Sequence, residues 1–317
     1  MGIEDALAAI DKSFGTGAVR RGDDEDFIPT DWVSSGSISL DRALGGRGFP
    51  RGAMVMVYGP YSSGKTTVAL HAVANAQKAG GTCAYIDAEF AYNAEHAARL
   101  GVDTSELLVC QPETAENGLE ITDRLIRSGD IAVLVIDSVA ALVPRAEVEG
   151  DMGDSHVGRQ ARLMGQACRK LTAPAAQNNT LVIWINQIRQ GIGPFAGEVV
   201  AGGKGLGFYC WQIVDVRKIE TLKVSDKPVG NRTKATVKKN KVAPPLLVAE
   251  FDILYSCGIS REAELIELGA KKSGSWFSFN DIKLGQGKEN ARLFLLDNPD
   301  VAVSIEKSLT ATQEEKK

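Results

Sequence analysis

Gly59, Pro60, Tyr61, Ser62, Ser63, Gly64, Lys65 and Thr66 join an apolar run, AMVMVYG, to a run with helical character, TVALHAVANAQKAG. They satisfy G-x-x-x-x-G-K-[ST], and a strand before and a helix after are the setting in which that spacing has physical meaning. The glycines let the backbone wrap an anion, so that several N–H groups and the N-terminus of the following helix point at one phosphate. Lys65 then reaches the outer phosphates, and Thr66 can offer its hydroxyl to Mg²⁺. The bland alternative is a Gly-rich strand-to-helix turn with no ligand.

The same texture continues along the chain. From Ala53 to about Tyr255, apolar segments alternate with helical ones: TCAYIDAE, a helix around Ala94 to Leu100, ELLVCQP, and a helix near Ala115 to Ser128. IAVLVIDS, a long helix from Val157 to Gln177, and LVIWINQ follow. Strands apolar on both faces, separated by helices, predict an α/β fold with a mostly parallel sheet between helical layers. From Trp211 to Tyr255 the β-rich segments are separated by turn residues instead, so antiparallel strands should extend the sheet. Residues 1–30 hold a short amphipathic helix, with Leu7, Ile10 and Phe14 at helical spacing, and a charged linker; a helix that short must pack on something. Residues 31–257 form the core. Residues 258–317 read as a small α+β domain with a Trp276–Phe277 aromatic core and a frayed polar tail.

Composition narrows the function. A net charge of −4 carries no global nucleic-acid signature, so any such site must come from local Lys and Arg clusters. Five dispersed cysteines without a C-x-x-C pair argue against a zinc site or a disulfide framework and read as small buried thiols. The apolar runs are too short for a membrane span, and the N-terminus lacks the basic start and apolar centre of a signal peptide. A cytoplasmic protein without a membrane partner is expected.

Further polar residues close the apolar strands. Asp137, after Ile131–Ile136, suits the second metal-positioning acid of a phosphate-binding enzyme, although a strand-end acid alone is commonly a helix cap. Asp87 and Glu89 end another strand. Glu89 is the candidate base for orienting an attacking water, and Asp87 is read as structural. Gln187, ending LVIWINQ, could sense a γ-phosphate or cap a chain end.

GPYSSGKTT, YIDAEFA, LVIDSVAALVP, EVEGDMGDSHVGRQAR, WINQIR, AGGKGLGFY and VKKNKVAPP, in this order, resemble the bacterial RecA recombinase family over roughly residues 5 to 305. The resemblance implies ATP and Mg²⁺ as cofactors, with ATP bound between neighbouring subunits of a helical filament on single-stranded DNA. Double-stranded DNA would be the second partner, and the short N-terminal helix would serve polymerisation. It places the catalytic glutamate at Glu89, the Mg²⁺-side aspartate at Asp137 beside Thr66, and the γ-phosphate sensor at Gln187. Lys239 and Lys241 become the pair reaching a neighbour's nucleotide; read alone, KKNK is a solvated strand face. Thr67, Asn93, His96 and Tyr255 join the nucleotide contacts, with His96 where the family stacks an aromatic on adenine.

Two Gly-rich stretches resemble the family's DNA loops, Glu147 to Gly158 and Arg189 to Gly205. Arg162, Arg169, Arg189, Gly202, Gly203 and Lys204 would hold phosphates there, while Val157 and Ile192 would wedge between bases. Arg217, Lys218 and Lys234 resemble a second, weaker DNA site, or are ordinary surface charge. The chain departs from the family in a second loop about two residues shorter, in Tyr61, Phe90 and Gly207, and in ending at QEEKK without an acidic tail. These departures suggest a divergent lineage, a bacteriophage being one candidate source. Missing acidic residues predict less inhibited duplex binding. The expected function is a DNA-dependent ATPase that pairs and exchanges strands. The alternatives are a ring-forming translocase on the same core and a non-hydrolysing DNA scaffold, the latter disfavoured by Glu89.

Overall fold

The computed structural model describes residues 2–22, 31–151, 158–190 and 197–314. Contacts divide the chain into two units, Met1–Asp31 and Trp32–Lys317. The first carries the helix Ile3–Phe14, none of whose residues is buried. Glu4 and Asp5 stand in its first turn, and Asp5 Oδ2 accepts the Gly2 N–H at 3.0 Å.

The second unit is built on a ten-stranded sheet. Its strands are β1 Met54–Gly59, β2 Thr82–Asp87, β3 Leu107–Cys110, β4 Ile131–Asp137, β5 Leu181–Gln190, β6 Glu198–Val200, β7 Gln212–Val224, β8 Lys227–Asn240, β9 Val248–Leu254 and β10 Gly258–Ile259. They lie in the order β10-β9-β8-β7-β1-β5-β4-β2-β3, with β6 paired to β5. The run from β3 through β4 and β1 to β7 is parallel, and β7 to β10 are antiparallel. This is the expected mostly parallel sheet with an antiparallel extension.

Burial on both faces explains the unbroken apolar strands. Val55 and Val57 of β1 pack on one side with Val68 and Val73 of the helix Lys65–Lys78. Met54 and Met56 pack on the other with residues of the helices Ala115–Arg127 and Arg159–Gln177. All seven residues of β4 are buried, split between the same two layers.

A third core gathers Leu265, Ile266, Leu284, Ala291, Leu295, Val301 and Ile305 beside a three-stranded antiparallel sheet, Lys271–Ser273, Trp276–Phe279 and Ile282–Gln286. Here the expected aromatic centre is corrected: Trp276 is 48% exposed, Phe277 only flanks the cluster, and aliphatic residues, all but Leu284 from helices, form the interior. The tail differs too, since one helix runs Pro299–Glu314. Ala311, Gln313 and Glu314 are good helix formers, and Ile305 anchors the helix in the core. Of the thiols, Cys83, Cys168 and Cys210 are buried, whereas Cys110 is half-buried and Cys257 exposed.

Buried charge ties this third core to the sheet. Glu264 is 1% exposed; its carboxylate accepts from Ser37 Oγ at 2.8 Å and from the amides of Ile38 and Ser39 at 3.1 and 2.9 Å. It thereby satisfies the free N–H groups opening the helix Ile38–Ala43. Arg232 of β8 bonds Asp252 of β9 and Glu267 at 3.0 and 2.8 Å, and Lys288 closes on the same two carboxylates.

Candidate active site

Strand register brings the polar ends together: Gly59 pairs with Gln187, and Asp87 with Asp137. Each lies at the carboxyl end of a parallel strand, the rim where open α/β sheets hold ligands.

The loop after β1 turns into its helix at Gly64, whose φ is +98°. That backbone conformation favours glycine, and an added Cβ would also meet Ile253 Cδ1 at 2.4 Å, pushing that side-chain end aside. Lys65, 8% exposed, opens the helix and donates to the Pro60 carbonyl at 2.7 Å. Burial lowers its pKa, and the nearby Asp137 and Glu89 carboxylates oppose that shift. Ser63 is 2% exposed, and its Oγ is buried without a hydrogen-bond partner among the described residues. A buried hydroxyl left unpaired in a cradle of amides fits an absent anion. Thr67 is buried in the first turn, whereas Tyr61 is 92% exposed.

Asp137 and Glu89 form two short networks. Asp137 Oδ2 accepts from Thr66 Oγ1 at 2.8 Å and from the Tyr85 hydroxyl at 2.6 Å. Burial raises the Asp137 pKa, and these two donors pull it back. Glu89 Oε1 accepts from Ser138 Oγ at 2.6 Å and from Gln187 Nε2 at 2.7 Å. Asp87 is different, accepting from the Ala91 and Tyr92 amides and from Gln111 Nε2, which is scaffolding for the turn after β2. Ser138, Tyr85 and Gln111 escaped the sequence reading. Ser138 directly follows the strand-end acid and could have been found there; the other two stand out only through burial and register.

Asn93 caps the helix Ala94–Arg99, accepting the His96 amide at 2.8 Å. Burial lowers the pKa of the half-buried His96, with Arg99 adding to the effect.

Lys239, Lys241 and Tyr255 belong to the antiparallel half and are not among the groups gathered at the β1 rim. Lys239 Nζ donates to the carbonyls of Gly207 and Phe208 at 2.8 and 3.0 Å. Burial lowers its pKa, with Lys241 adding to the effect. Lys241 lies 5.6 Å from the Trp211 ring centre, and the Tyr255 hydroxyl donates to Asn231 Oδ1 at 3.3 Å.

Of the DNA candidates, Val157 and Ile192 lie outside the described residues. Arg189, Gly202 and Gly203 line one cleft of about 270 Å³ with Gln160 and Gly158. Gln160 Nε2 donates to the carbonyls of Val139 and Leu142, both at 2.8 Å, fixing the chain just beyond Asp137 to the start of the helix Arg159–Gln177. Arg189 donates to the Ala140 carbonyl at 3.3 Å. Gly202 has φ +75°, and a Cβ there would lie 2.7 Å from Val139 Cγ1. Arg162, Arg169 and Lys204 are exposed on or beside these elements. Arg217 is held by Glu198 and Asp215 at 2.6 and 2.9 Å.

Comparison with known proteins agrees with this geometry. The RecA N-terminal domain family matches residues 1–260, and the RecA C-terminal domain family matches residues 263–313. The chain is 58% identical over 314 residues to Protein RecA of Frankia casuarinae, covering 97% of this chain and 91% of that one. It is 59% identical over 314 residues to Protein RecA of Kineococcus radiotolerans, covering 97% and 90%. Among solved structures, the crystal structure of the RadB recombinase superposes with a TM-score of 0.54 at 27% identity, covering 72% of this chain and 98% of that one. The chain belongs to the RecA family of recombinases, DNA-dependent ATPases of homologous pairing and strand exchange.

Proposed function

We propose that the rim formed by β1, β2, β4 and β5 binds ATP with Mg²⁺, and that hydrolysis there controls a helical filament of this chain on single-stranded DNA. The observation that carries the reading is Glu89 Oε1, bonded at once by Gln187 Nε2 and Ser138 Oγ, beside the phosphate loop.

The residues fit both cofactors. Ser63 Oγ and the loop amides await an anion. Among the described residues no cluster of three or more His, Cys, Asp or Glu could hold a metal alone. Thr66 and Asp137 therefore suit a Mg²⁺ that takes its other ligands from phosphate and water. When bound, the ion neutralises charge developing on the phosphates. Lys65 exchanges the Pro60 carbonyl for phosphate oxygens, and burial strengthens that attraction. Glu89 orients the attacking water, while Gln187, bonded to the same carboxylate, is placed to respond to the γ-phosphate.

Gln187 also begins the coupling. It lies on β5, two residues before Arg189, where the second DNA loop starts, and its carbonyl accepts the Ala201 amide at 3.2 Å on that loop's return. A shift at Gln187 is thus felt at both ends of the loop. Arg189, Gly202, Gly203 and Lys204, with Arg162 and Arg169, would hold the phosphates of single-stranded DNA, and duplex DNA would be the pairing partner. Lys239 and Lys241 would serve the neighbouring subunit's nucleotide. No helix among the described residues is long and apolar enough to cross a membrane, and a cytoplasmic setting accords with this chemistry. ATP turnover with and without single-stranded DNA, measured beside filament imaging, tests the reading; DNA-independent turnover by a protein that never polymerises would defeat it.

A further inference from the structure

Tyr85 is 3% exposed on the strand Thr82–Asp87, between the buried apolar residues Cys83, Ala84 and Ile86 and the buried Asp87 at the strand's end. Its ring packs against Tyr92 with centroids 5.5 Å apart, a task phenylalanine would perform as well. The hydroxyl is therefore the informative part, and it donates to Asp137 Oδ2 at 2.6 Å. Thr66 Oγ1 donates to that same oxygen at 2.8 Å. Once the Thr66 proton is committed to Oδ2, the lone pairs of Oγ1 remain for a cation. Whether Thr66 keeps this orientation depends on where Oδ2 sits, and the buried Tyr85 is a second donor holding that oxygen.

We propose that Tyr85 is a positioning residue of the nucleotide site, holding Asp137 Oδ2 so that the Thr66 hydroxyl presents its lone pairs to Mg²⁺ before the ion arrives. Partners that orient ligands in this way commonly change metal affinity by tenfold or more when removed. The inference rests on the assignment of Thr66 and Asp137 to the metal, so its test must separate the two.

Tyr85→Phe, Asp137→Asn and the double variant are titrated with Mg²⁺ in the presence of a fluorescent ATP analogue, with binding in EDTA as the reference. Tyr85→Phe is expected to raise the half-saturating Mg²⁺ concentration roughly tenfold while leaving binding in EDTA unchanged, a split that loosened packing would not produce. In the Asp137→Asn background the same substitution should add little, because its route of action is gone. An unmoved midpoint in Tyr85→Phe beside a shifted one in Asp137→Asn overturns the role of Tyr85 alone. An unmoved midpoint in Asp137→Asn overturns the metal assignment and the inference with it. Should Tyr85→Phe fail to fold, 3-fluorotyrosine at position 85 keeps the ring and strengthens the donor; a lowered midpoint supports the proposal, and an unchanged one ends it.

Discussion

The two halves of the sheet treat their polar residues differently. At the parallel rim, Thr66, Tyr85, Ser138 and Gln187 converge on the carboxylates of Asp137 and Glu89 at 2.6 to 2.8 Å. In the antiparallel half the two arginines are paired internally, Arg217 with Glu198 and Asp215 and Arg232 with Asp252 and Glu267, which Lys288 also reaches from the C-terminal unit. Lys239 caps two carbonyls. The parallel half thus gathers its polar groups into one converging network, whereas the antiparallel half pairs its charges locally.

Breaking the parallel half should have the largest consequence. Lys65→Ala should cut DNA-stimulated ATP turnover about 10³-fold by removing a buried charge aimed at the phosphates, read by a steady-state phosphate-release assay. Mixing it with Lys239→Ala sharpens the comparison. If lysines cross between subunits, the mixture should regain part of the turnover that each protein lacks alone; no recovery argues for two roles within one subunit. Glu89→Gln comes next, with turnover down about 10²-fold or more and ATP binding retained by equilibrium titration. Longer-lived filaments should accompany it.

The seam between the halves predicts a pH effect. His71, in the helix after the phosphate loop, accepts the Ile259 amide at 2.9 Å, and burial lowers its pKa to about 4, with Lys78 and His96 adding to the shift. A depressed folded pKa stabilises fully above the unfolded value near 6.5 and is lost as pH falls through about 4. Thermal melts across that window should show a loss of about 2–3 kcal/mol that His71→Gln flattens. Gly202→Ala should cost about 1–2 kcal/mol through its positive φ and the Val139 clash, and should weaken single-stranded DNA binding in an anisotropy titration. Smallest is Arg217→Ala, where Glu198 is exposed and Lys238 still faces the buried Asp215 at 3.9 Å, limiting the change in stability to about 1 kcal/mol; a large loss of duplex binding instead would show that this arginine leaves its ion pairs for DNA.

Much of the rim was legible in the chain because its elements are local. Gly59 to Thr66 specify their loop through spacing alone, and Glu89, Asp137 and Gln187 each follow a recognisable apolar strand. Tyr85 was not legible: within TCAYID it reads as one more core residue, and only register places its hydroxyl against Asp137. Trp276 misled for the opposite reason, since aromatic character predicts burial but not which side of a small sheet faces water.

Strand–loop–helix order, apolar runs buried on both faces and the chemistry at strand ends were set by the amino-acid sequence itself, because hydrophobic period and glycine spacing act over a few residues. Which carboxylate is fed by which donor, whether an arginine is spoken for, and which hydroxyl is left without a partner were decided only in three dimensions. Hydrogen bonds and desolvation depend on neighbours brought together from distant positions, and no spacing along the chain records them.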